Sequence, residues 1–332
     1  MNASPRVCAL LCCLVVGAVP AVADDARAPF LWRNSGALTA PSGLPRARDA
    51  LLPAPGRTKW TFAPEIASQF TQDTEDGQDV VVDVETTTLL LAIEHGFSDQ
   101  WAASLEVPLV SHDGGFLDSL IDDYHDLLGL PDGGRESRPR DEVFVAWLDA
   151  NGPRTVLTSG ARGLGDVRVA FARALERSAD RTTTLRFGVE LPTGDVDDLL
   201  GNEGVDAFVS GHVTDQRLLS DLGWTLHASA GLLAQLDRDE LYGSDGESLV
   251  AFGNFTLAWP VSPRWTIKGQ LDAHSRLADT PLRQVGGWSV QGSLGAAVRL
   301  REGLVFEGGF AEDLRPGSAP DIAFLFALRG EL

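Results

Sequence analysis

The chain has 332 residues, of which 44% are hydrophobic and 22% are charged, and its formal net charge at pH 7 is −20. A surface this acidic repels phosphate groups, so we expect no nucleic-acid partner. The three cysteines, Cys8, Cys12 and Cys13, lie in the apolar start of the chain. Disulfides, cysteine nucleophiles and cysteine-bound metals are therefore excluded from the remainder.

The first residues have the pattern of a secretory signal peptide. Arg6 precedes an apolar run over residues 7–19, and a small-residue Ala-x-Ala site ends at Ala23. The run is shorter than the roughly 20 residues that a spanning helix needs. We predict export with cleavage near Ala23. The expected regions are a leader (1–23), an N-terminal segment (24–57) and one continuous barrel domain (58–332).

The N-terminal segment does not read as a strand. Residues 29–56 are rich in proline and carry Arg33, Arg46 and Arg48, with Arg57 beside them. Three placements stay open: disorder, a position in the periplasm, or a plug that enters the lumen of the following domain and pairs its arginines with acids there.

Apolar residues alternate with small or polar ones from residue 101 almost to the end of the chain. Within residues 185–191, for example, Leu185, Phe187 and Val189 oppose Arg186 and Glu190. Each alternating segment has about nine to thirteen residues, the length of a tilted strand that crosses a bilayer. The pattern predicts an all-β protein that forms a transmembrane up-and-down antiparallel β-barrel.

Short and long connections alternate along the chain, as in a barrel with short periplasmic turns and long outer loops. A strict alternation requires a short strand at residues 154–158, before the turn at residues 163–166. Counting that strand gives 14 strands, whereas merging it into the outer loops gives 12. The sequence thus predicts 12 to 14 strands and favours 14, with both termini in the periplasm.

The barrel is expected to close with an alternating strand over residues 321–332. Its outward face would carry Ile322, Phe324, Phe326, Leu328 and Leu332, and its inward face Ala323, Ala327 and Arg329. A barrel-assembly signal usually ends in an aromatic residue, and Leu332 departs from that while keeping the outward position. We expect this strand to contact the barrel-assembly machinery, and the outer surface to contact lipid and lipopolysaccharide.

The inward face carries ionisable residues that a packed core would reject and a water-filled lumen accepts. The pore-lining candidates are Arg168, Arg186, Glu190, Asp206, His212, His227, Lys268, Asp272, His274 and Arg299. A soluble periplasmic β-sandwich or jelly roll is the alternative for an alternating chain. The strand lengths, the alternating loop lengths and these inward charges weigh against it.

Residues 115–128 have helical rather than strand periodicity, with one apolar stripe. We predict a short amphipathic helix in the long outer loop, residues 111–141, where it narrows the mouth. The constriction candidates are Asp118, Asp122, Tyr124, His125 and Asp126. Asp118, Asp122 and His125 share a face that could hold a divalent ion, but nothing supplies a fourth ligand, so no metal or other cofactor is predicted.

Several motifs resemble the uncharacterised bacterial family DUF3187. They are residues 29–34 (PFLWRN), 43–46 (GLPR), 114–125 (GGFLDSLIDDYH), 129–131 (GLP), 133–135 (GGR), 163–166 (GLGD) and 191–195 (LPTGD). The resemblance spans most of the chain after the leader. It implies a location in the outer membrane of a Gram-negative bacterium, and the family has no assigned activity to carry over.

Three classes of function remain. The leading one is a porin-like channel or passive transporter of small solutes, with cation preference from the net acidity. The second is a non-conducting structural or interaction barrel whose lumen the N-terminal segment closes. The third is an outer-membrane hydrolase built on His212, His227 or His274; none of them lies in a nucleophile motif, so enzymatic activity is not predicted.

Overall fold

The computed structural model describes residues 25–117, 139, 141–149, 152–236 and 239–332. The strands are β1 (Thr58–Glu75), β2 (Gln78–Gly96), β3 (Trp101–Asp113), β4 (Phe144–Asp149), β5 (Gly152–Leu157), β6 (Ala161–Leu164), β7 (Val167–Arg177), β8 (Arg181–Leu191), β9 (Asp206–Asp215), β10 (Thr225–Gln235), β11 (Leu249–Pro260), β12 (Trp265–His274), β13 (Ser289–Arg301), β14 (Leu304–Asp313) and β15 (Ile322–Glu331). Two short helices are α1 (Asp239–Tyr242) and α2 (Arg283–Gly286), and 3-10 turns lie at Asp25–Arg27, Ala40–Ser42, Ser220–Leu222 and Gly243–Asp245. No helix in the described ranges is long and apolar enough to cross a membrane.

A closed antiparallel barrel of 12 strands is the centre of the molecule. From β7 to β15 each strand pairs with the next along the chain, and β3 pairs with β7. The ring closes where β15 pairs with β1, from Lys59 opposite Glu331 to Ser68 opposite Ile322. The predicted all-β, up-and-down antiparallel barrel is confirmed.

Three additional strands extend the wall at one end. β4 pairs with residues 79–83 of β2 and also with β5. β6 pairs with residues 109–112 of β3. Residues 154–157 of the short strand predicted at 154–158 belong to β5, which is the edge of the sheet and not a member of the ring. The ring therefore has 12 strands, the lower end of the predicted range, rather than the favoured 14. Counting connections failed because β4 and β5 form a hairpin beyond the ring.

The barrel has an apolar exterior and a polar interior, as the alternation predicted. On β15 the outward Phe326 is 43% exposed, whereas the inward Ala323 and Arg329 are 0% and 9% exposed. Alternating side chains fall on opposite faces because successive residues of a strand point in opposite directions.

The barrel has two distinct ends. β1 begins and β15 ends at what we call the terminal end, and the long connections lie at the opposite loop end. An apolar cluster, the mouth cluster, closes the loop end; it includes Leu38, Val82, Trp147, Tyr242 and Leu277. Because these residues come from β2, β4 and separate connections, burial of their side chains draws the loops together over the ring.

Candidate functional site

Residues 25–57, the lumen segment, run inside the barrel from the terminal end to the loop end and back. Asp25 pairs with Lys59 at the terminal end, at 2.8 Å. The Asn34 amide donates to Ser289 Oγ at the loop end, at 3.1 Å. The chain then returns to the terminal end, where β1 begins. The segment therefore passes through the lumen twice, first toward the loop end (the first limb) and then back to the terminal end (the second limb). It adds no strand to the sheet.

Side chains of the wall bind the backbone of the first limb. The carbonyl oxygens of residues 28 and 29 accept hydrogen bonds from Lys268 Nζ (2.8 Å) and Arg329 Nη2 (2.6 Å). The Gln270 amide contacts both the N–H and the carbonyl of Phe30, at 2.9 and 3.2 Å. Buried backbone groups need such partners when they lie outside a sheet.

The Phe30 ring occupies a place where the wall carries no side chains. A Cβ atom built on Gly309 would lie 3.0 Å from Phe30 Cζ, and one on Gly295 would lie 2.8 Å from it. Lys268 Nζ lies 4.1 Å from the ring centroid, a cation–π distance. The two glycines and Lys268 therefore form a notch that accepts Phe30, which is 0% exposed.

The second limb brings arginines to acids of the wall. Arg46 Nη1 lies 3.0 Å from Glu65 Oε2, and Arg48 Nη2 lies 2.7 Å from Glu106 Oε1. Arg48 Nη1 is also 4.0 Å from Glu94. In the Arg46–Glu65 pair the side chains are only 3% and 2% exposed. The second limb therefore lies against inward side chains of the wall, and a role of the segment as a plug stays a prediction.

The wall has ion pairs of its own around these arginines. Arg168 pairs with Glu190 and, at 3.3 Å, with Glu106. Arg186 Nη1 lies 2.6 Å from Glu94 Oε1. Wall cations and segment cations thus share Glu94 and Glu106, which makes the centre of the lumen a continuous charge network.

The pore-lining candidates lie on the inward side of their strands. Buried under the lumen segment are Arg168, Arg186, Glu190, Asp206, His212, His227, Lys268 and His274, while Asp272 and Arg299 are partly exposed. Arg299 lies at the terminal end and donates to the Pro263 carbonyl at 2.5 Å. The expected water-filled lumen is instead filled by protein, because the segment takes the place of solvent. That these residues line a conducting pore stays a prediction.

The inward histidines contact hydroxyl groups and the lumen segment. His212 lies 2.8 Å from Ser210 Oγ and 3.0 Å from the Arg48 carbonyl. His227 lies 2.9 Å from Thr214 Oγ1. The Ser210–His212 pair meets the distance requirement of a hydrolase, but the third group on the imidazole is a backbone carbonyl rather than an acid or amide. The pair instead supports the backbone of the second limb at Arg48.

The apex of the lumen segment is held under the mouth cluster. The Tyr242 hydroxyl donates to the Leu38 carbonyl at 2.8 Å, and burial raises the pKa of that hydroxyl. The Trp147 ring of β4 lies 6.4 Å from the Tyr242 ring. Arg154 lies over Trp147, 5.3 Å from its ring centroid, and donates to Asp245 Oδ2 at 2.6 Å. The β4–β5 hairpin, the β10–β11 connection and the segment are therefore joined.

Sequence reasoning missed the role of Asp166, in the short turn between β6 and β7. Its Oδ1 accepts the backbone N–H groups of Thr193 (2.9 Å) and Gly194 (2.7 Å), and its Oδ2 accepts that of Asn202 (2.9 Å). Burial raises the pKa of Asp166, while the three N–H donors oppose that rise. Asp166 of the GLGD motif thus anchors the LPTGD motif of the next loop. The sequence alone does not indicate that these two motifs meet.

Cavities of about 40 Å³ and about 20 Å³ lie beside the segment. Spaces of that size hold water molecules rather than a solute. Within the described part of the chain, no group of three or more His, Cys, Asp or Glu side chains is placed to hold a metal ion. The constriction candidates Asp118, Asp122, Tyr124, His125 and Asp126 and the leader lie outside the described residues. The same holds for residues 118–128 of the predicted helix, while residues 115–117 are described and are not helical.

Comparison with known proteins supports the family resemblance and the fold. The profile of a family described as "Protein of unknown function (DUF3187)" matches residues 5–331. A search of curated proteins gave no match. The outer membrane channel COG4313 from Pseudomonas putida F1 has a similar structure, with 12% identity and a TM-score of 0.55, covering 85% of this chain and 97% of that chain. The NanC porin has 9% identity and a TM-score of 0.48, covering 83% and 100%.

Proposed function

The chain belongs to the DUF3187 family, and we propose that it is an outer-membrane channel for small solutes that its own N-terminal segment closes. The observation that carries the proposal is the lumen segment itself. A segment that forms no strand, rather than the wall, fills the barrel, and it is held by side-chain hydrogen bonds and ion pairs that water or solute could replace. Its withdrawal would leave a polar lumen of the kind that porins use.

The proposed location is the outer membrane of a Gram-negative bacterium, after cleavage near Ala23. Its support is the apolar outward belt, in which Leu91, Ile267 and Leu294 are 49%, 40% and 51% exposed. Exposed apolar side chains on a barrel wall are stable where lipid covers them. In this proposal residues 24–57 are a plug, residues 58–332 are the barrel domain, and the closing strand engages the assembly machinery.

A non-conducting interaction barrel is the second candidate, and a specific observation favours it. The mouth cluster buries Trp147, Tyr242 and Leu277 almost completely, so the loop end is closed by packed side chains as well as by the segment. Such a barrel would keep the segment in place permanently. Conductance separates the two candidates.

The decisive experiment uses the full chain with a reversible lock. A Cβ built on Gly36 lies 3.0 Å from Oε1 at the tip of the Gln69 side chain, so a short bis-methanethiosulfonate reagent can span the thiols of Gly36→Cys and Gln69→Cys and tie the segment apex to β1 until it is reduced. No other cysteine follows residue 13. A third change, Trp32→Asp, places a carboxylate in an apolar site that is 2% exposed and favours withdrawal. Conductance is then recorded in planar bilayers before and after reduction.

We expect ion-sized steps after reduction and silence after cross-linking. The same protein with Gly36→Cys but without Gln69→Cys is the control, and it should open in both states. A heat-modifiable gel shift first establishes that each variant forms a barrel. A folded, reduced triple variant that never opens would contradict the channel proposal and support the interaction barrel.

A further inference from the structure

We propose that the lumen accepts cationic solutes of the guanidinium or amine class, and that Arg46 and Arg48 occupy their binding positions in the closed state. Transport of such solutes rests on the proposed channel function. The binding positions themselves do not, because they can be tested in the closed protein.

The charge balance of the lumen depends on the segment. Among inward side chains of the ring that are no more than 9% exposed, six are carboxylates and four are cations. The carboxylates are Glu65, Glu94, Glu106, Glu190, Asp206 and Glu307, and the cations are Arg168, Arg186, Lys268 and Arg329. Residues 30–50 of the segment carry three arginines and one aspartate. The wall alone therefore has an excess of two negative charges, which the segment offsets.

Of the two binding positions, the one at Glu65 has the stronger evidence. Within the described residues, Arg46 is the one cation at ion-pair distance from it, so Glu65 loses its counter-charge when the segment leaves. Its second oxygen, Oε1, is buried and has no hydrogen-bond partner. A buried carboxylate with an unused acceptor has a strong requirement for a cationic donor. A planar guanidinium can serve both oxygens at once.

Glu106 and Glu94 form the second position, with Arg48 between them at 2.7 and 4.0 Å. Arg168 and Arg186 of the wall remain beside these acids, so this position keeps part of its counter-charge after withdrawal. The cavity of about 20 Å³ is lined by both segment arginines and by Glu106, which leaves space next to the guanidinium groups. The guanidinium groups of the segment thus contact the wall carboxylates in the way that we propose for a guanidinium or amine solute.

The first test is chemical rescue in the closed, full-length protein. Arg46→Ala leaves Glu65 unpaired, and guanidinium at about 20 mM, far below denaturing concentrations, should occupy the vacated place. We expect the unfolding temperature of Arg46→Ala to rise by about 2 °C or more relative to sodium chloride at equal ionic strength. Arg57→Ala is the matched control, because Arg57 is an exposed partner of Glu331 at the terminal end. It should show no such rise.

The double variant Arg46→Ala/Glu65→Gln identifies the acceptor. If Glu65 binds the ion, this variant does not respond to guanidinium. An equal response of Arg46→Ala, Arg57→Ala and the double variant would overturn the proposed binding position, whether or not the protein conducts.

The second test measures selectivity in the reduced triple variant described above. We expect reversal potentials that favour K⁺ over Cl⁻ by about fivefold or more, and block by methylguanidinium at millimolar concentration but not by acetate. Glu65→Gln with Glu106→Gln should reduce both effects, whereas Glu302→Gln, which removes an exposed carboxylate outside the lumen, should not. Open channels that prefer Cl⁻ or ignore methylguanidinium would overturn the solute class and leave the channel function intact.

Discussion

Phe30 shows how a single residue can fix a segment that has no secondary structure. Glycine weakens a strand by about 0.5–1 kcal/mol relative to alanine, so the inward Gly309 in β14 needs a local reason. That reason is the ring of Phe30, which packs directly on the backbone of the wall. In the sequence Gly309 is only a weak position in a strand pattern, because the residue that packs on it lies almost 280 positions earlier in the chain.

Gly309→Ala tests this packing. The added methyl would meet Phe30 Cζ at 3.0 Å, and we expect a loss of about 1–3 kcal/mol from the free energy of unfolding. Gly269→Ala is the matched control, since a Cβ there meets nothing within 4 Å. In a Phe30→Ala background the Gly309→Ala cost should fall, because the added methyl then meets only the Leu294 carbonyl oxygen, at 3.2 Å. Urea titrations of the four proteins in a double-mutant cycle would reveal the decrease. An unchanged cost would mean that the strand, not the ring, needs the glycine.

Asp166 acts at the same scale on a loop. Asp166→Asn converts one acceptor oxygen to a donor, so at least one of the three backbone N–H groups at Thr193, Gly194 and Asn202 loses its partner. A lost hydrogen bond to a charged group costs about 1.5–3 kcal/mol. We expect amide exchange in residues 192–204 to become at least about tenfold faster. Asp195→Asn, an exposed change in the same loop, should leave the exchange rates within about twofold, and similar acceleration in both variants would refute the anchor.

At the scale of elements, the alternation of apolar and polar residues predicted the strands of the ring. The ring strands alternate, and the faces and order of β7 to β15 follow from the sequence because each of these strands pairs with the next along the chain. The lumen segment has no period, and its conformation is set by partners such as Glu65, Gln270 and Lys268 on distant strands. The sequence therefore indicates that the arginines of the segment are able to pair with lumen acids, but it neither selects which acids nor excludes disorder.

The β4–β5 hairpin is the element that the loop pattern misplaced, and Arg154 joins it to the β10–β11 connection. Arg154 joins Asp149 within the hairpin to Asp245 in the β10–β11 connection, both at 2.6 Å. Arg154→Ala should free the hairpin from the mouth cluster, with at least about tenfold faster amide exchange in residues 144–149, measured by mass spectrometry. Arg276→Ala, which breaks exposed ion pairs at the same end, should change exchange in the hairpin little. A hairpin unaffected by Arg154→Ala would be held by the β2–β4 pairing and by Trp147 instead.

At the scale of the whole molecule, closure of the ring extends to the last residue. Thr58 and Leu332 exchange two backbone hydrogen bonds, at 2.8 and 3.1 Å, at the end of the β1–β15 seam. The Leu332 side chain is 72% exposed on the outward face, which confirms the parity expected from the sequence. Its position at the rim means that its side chain contributes little packing to the folded barrel, so any strong effect of changing it must arise before folding is complete.

Leu332→Asp separates assembly from stability. A carboxylate near the membrane interface costs a folded barrel no more than about 1 kcal/mol, so protein refolded in detergent should give the same heat-modifiable band as the unaltered chain. In cells we expect that band to disappear from the membrane fraction, because our proposal has the closing strand engage the assembly machinery through its outward side chains. Glu331→Gln is the matched control: it changes charge at the adjacent inward-parity position and should assemble normally. Normal assembly of Leu332→Asp in cells would show that recognition depends on another part of the closing strand.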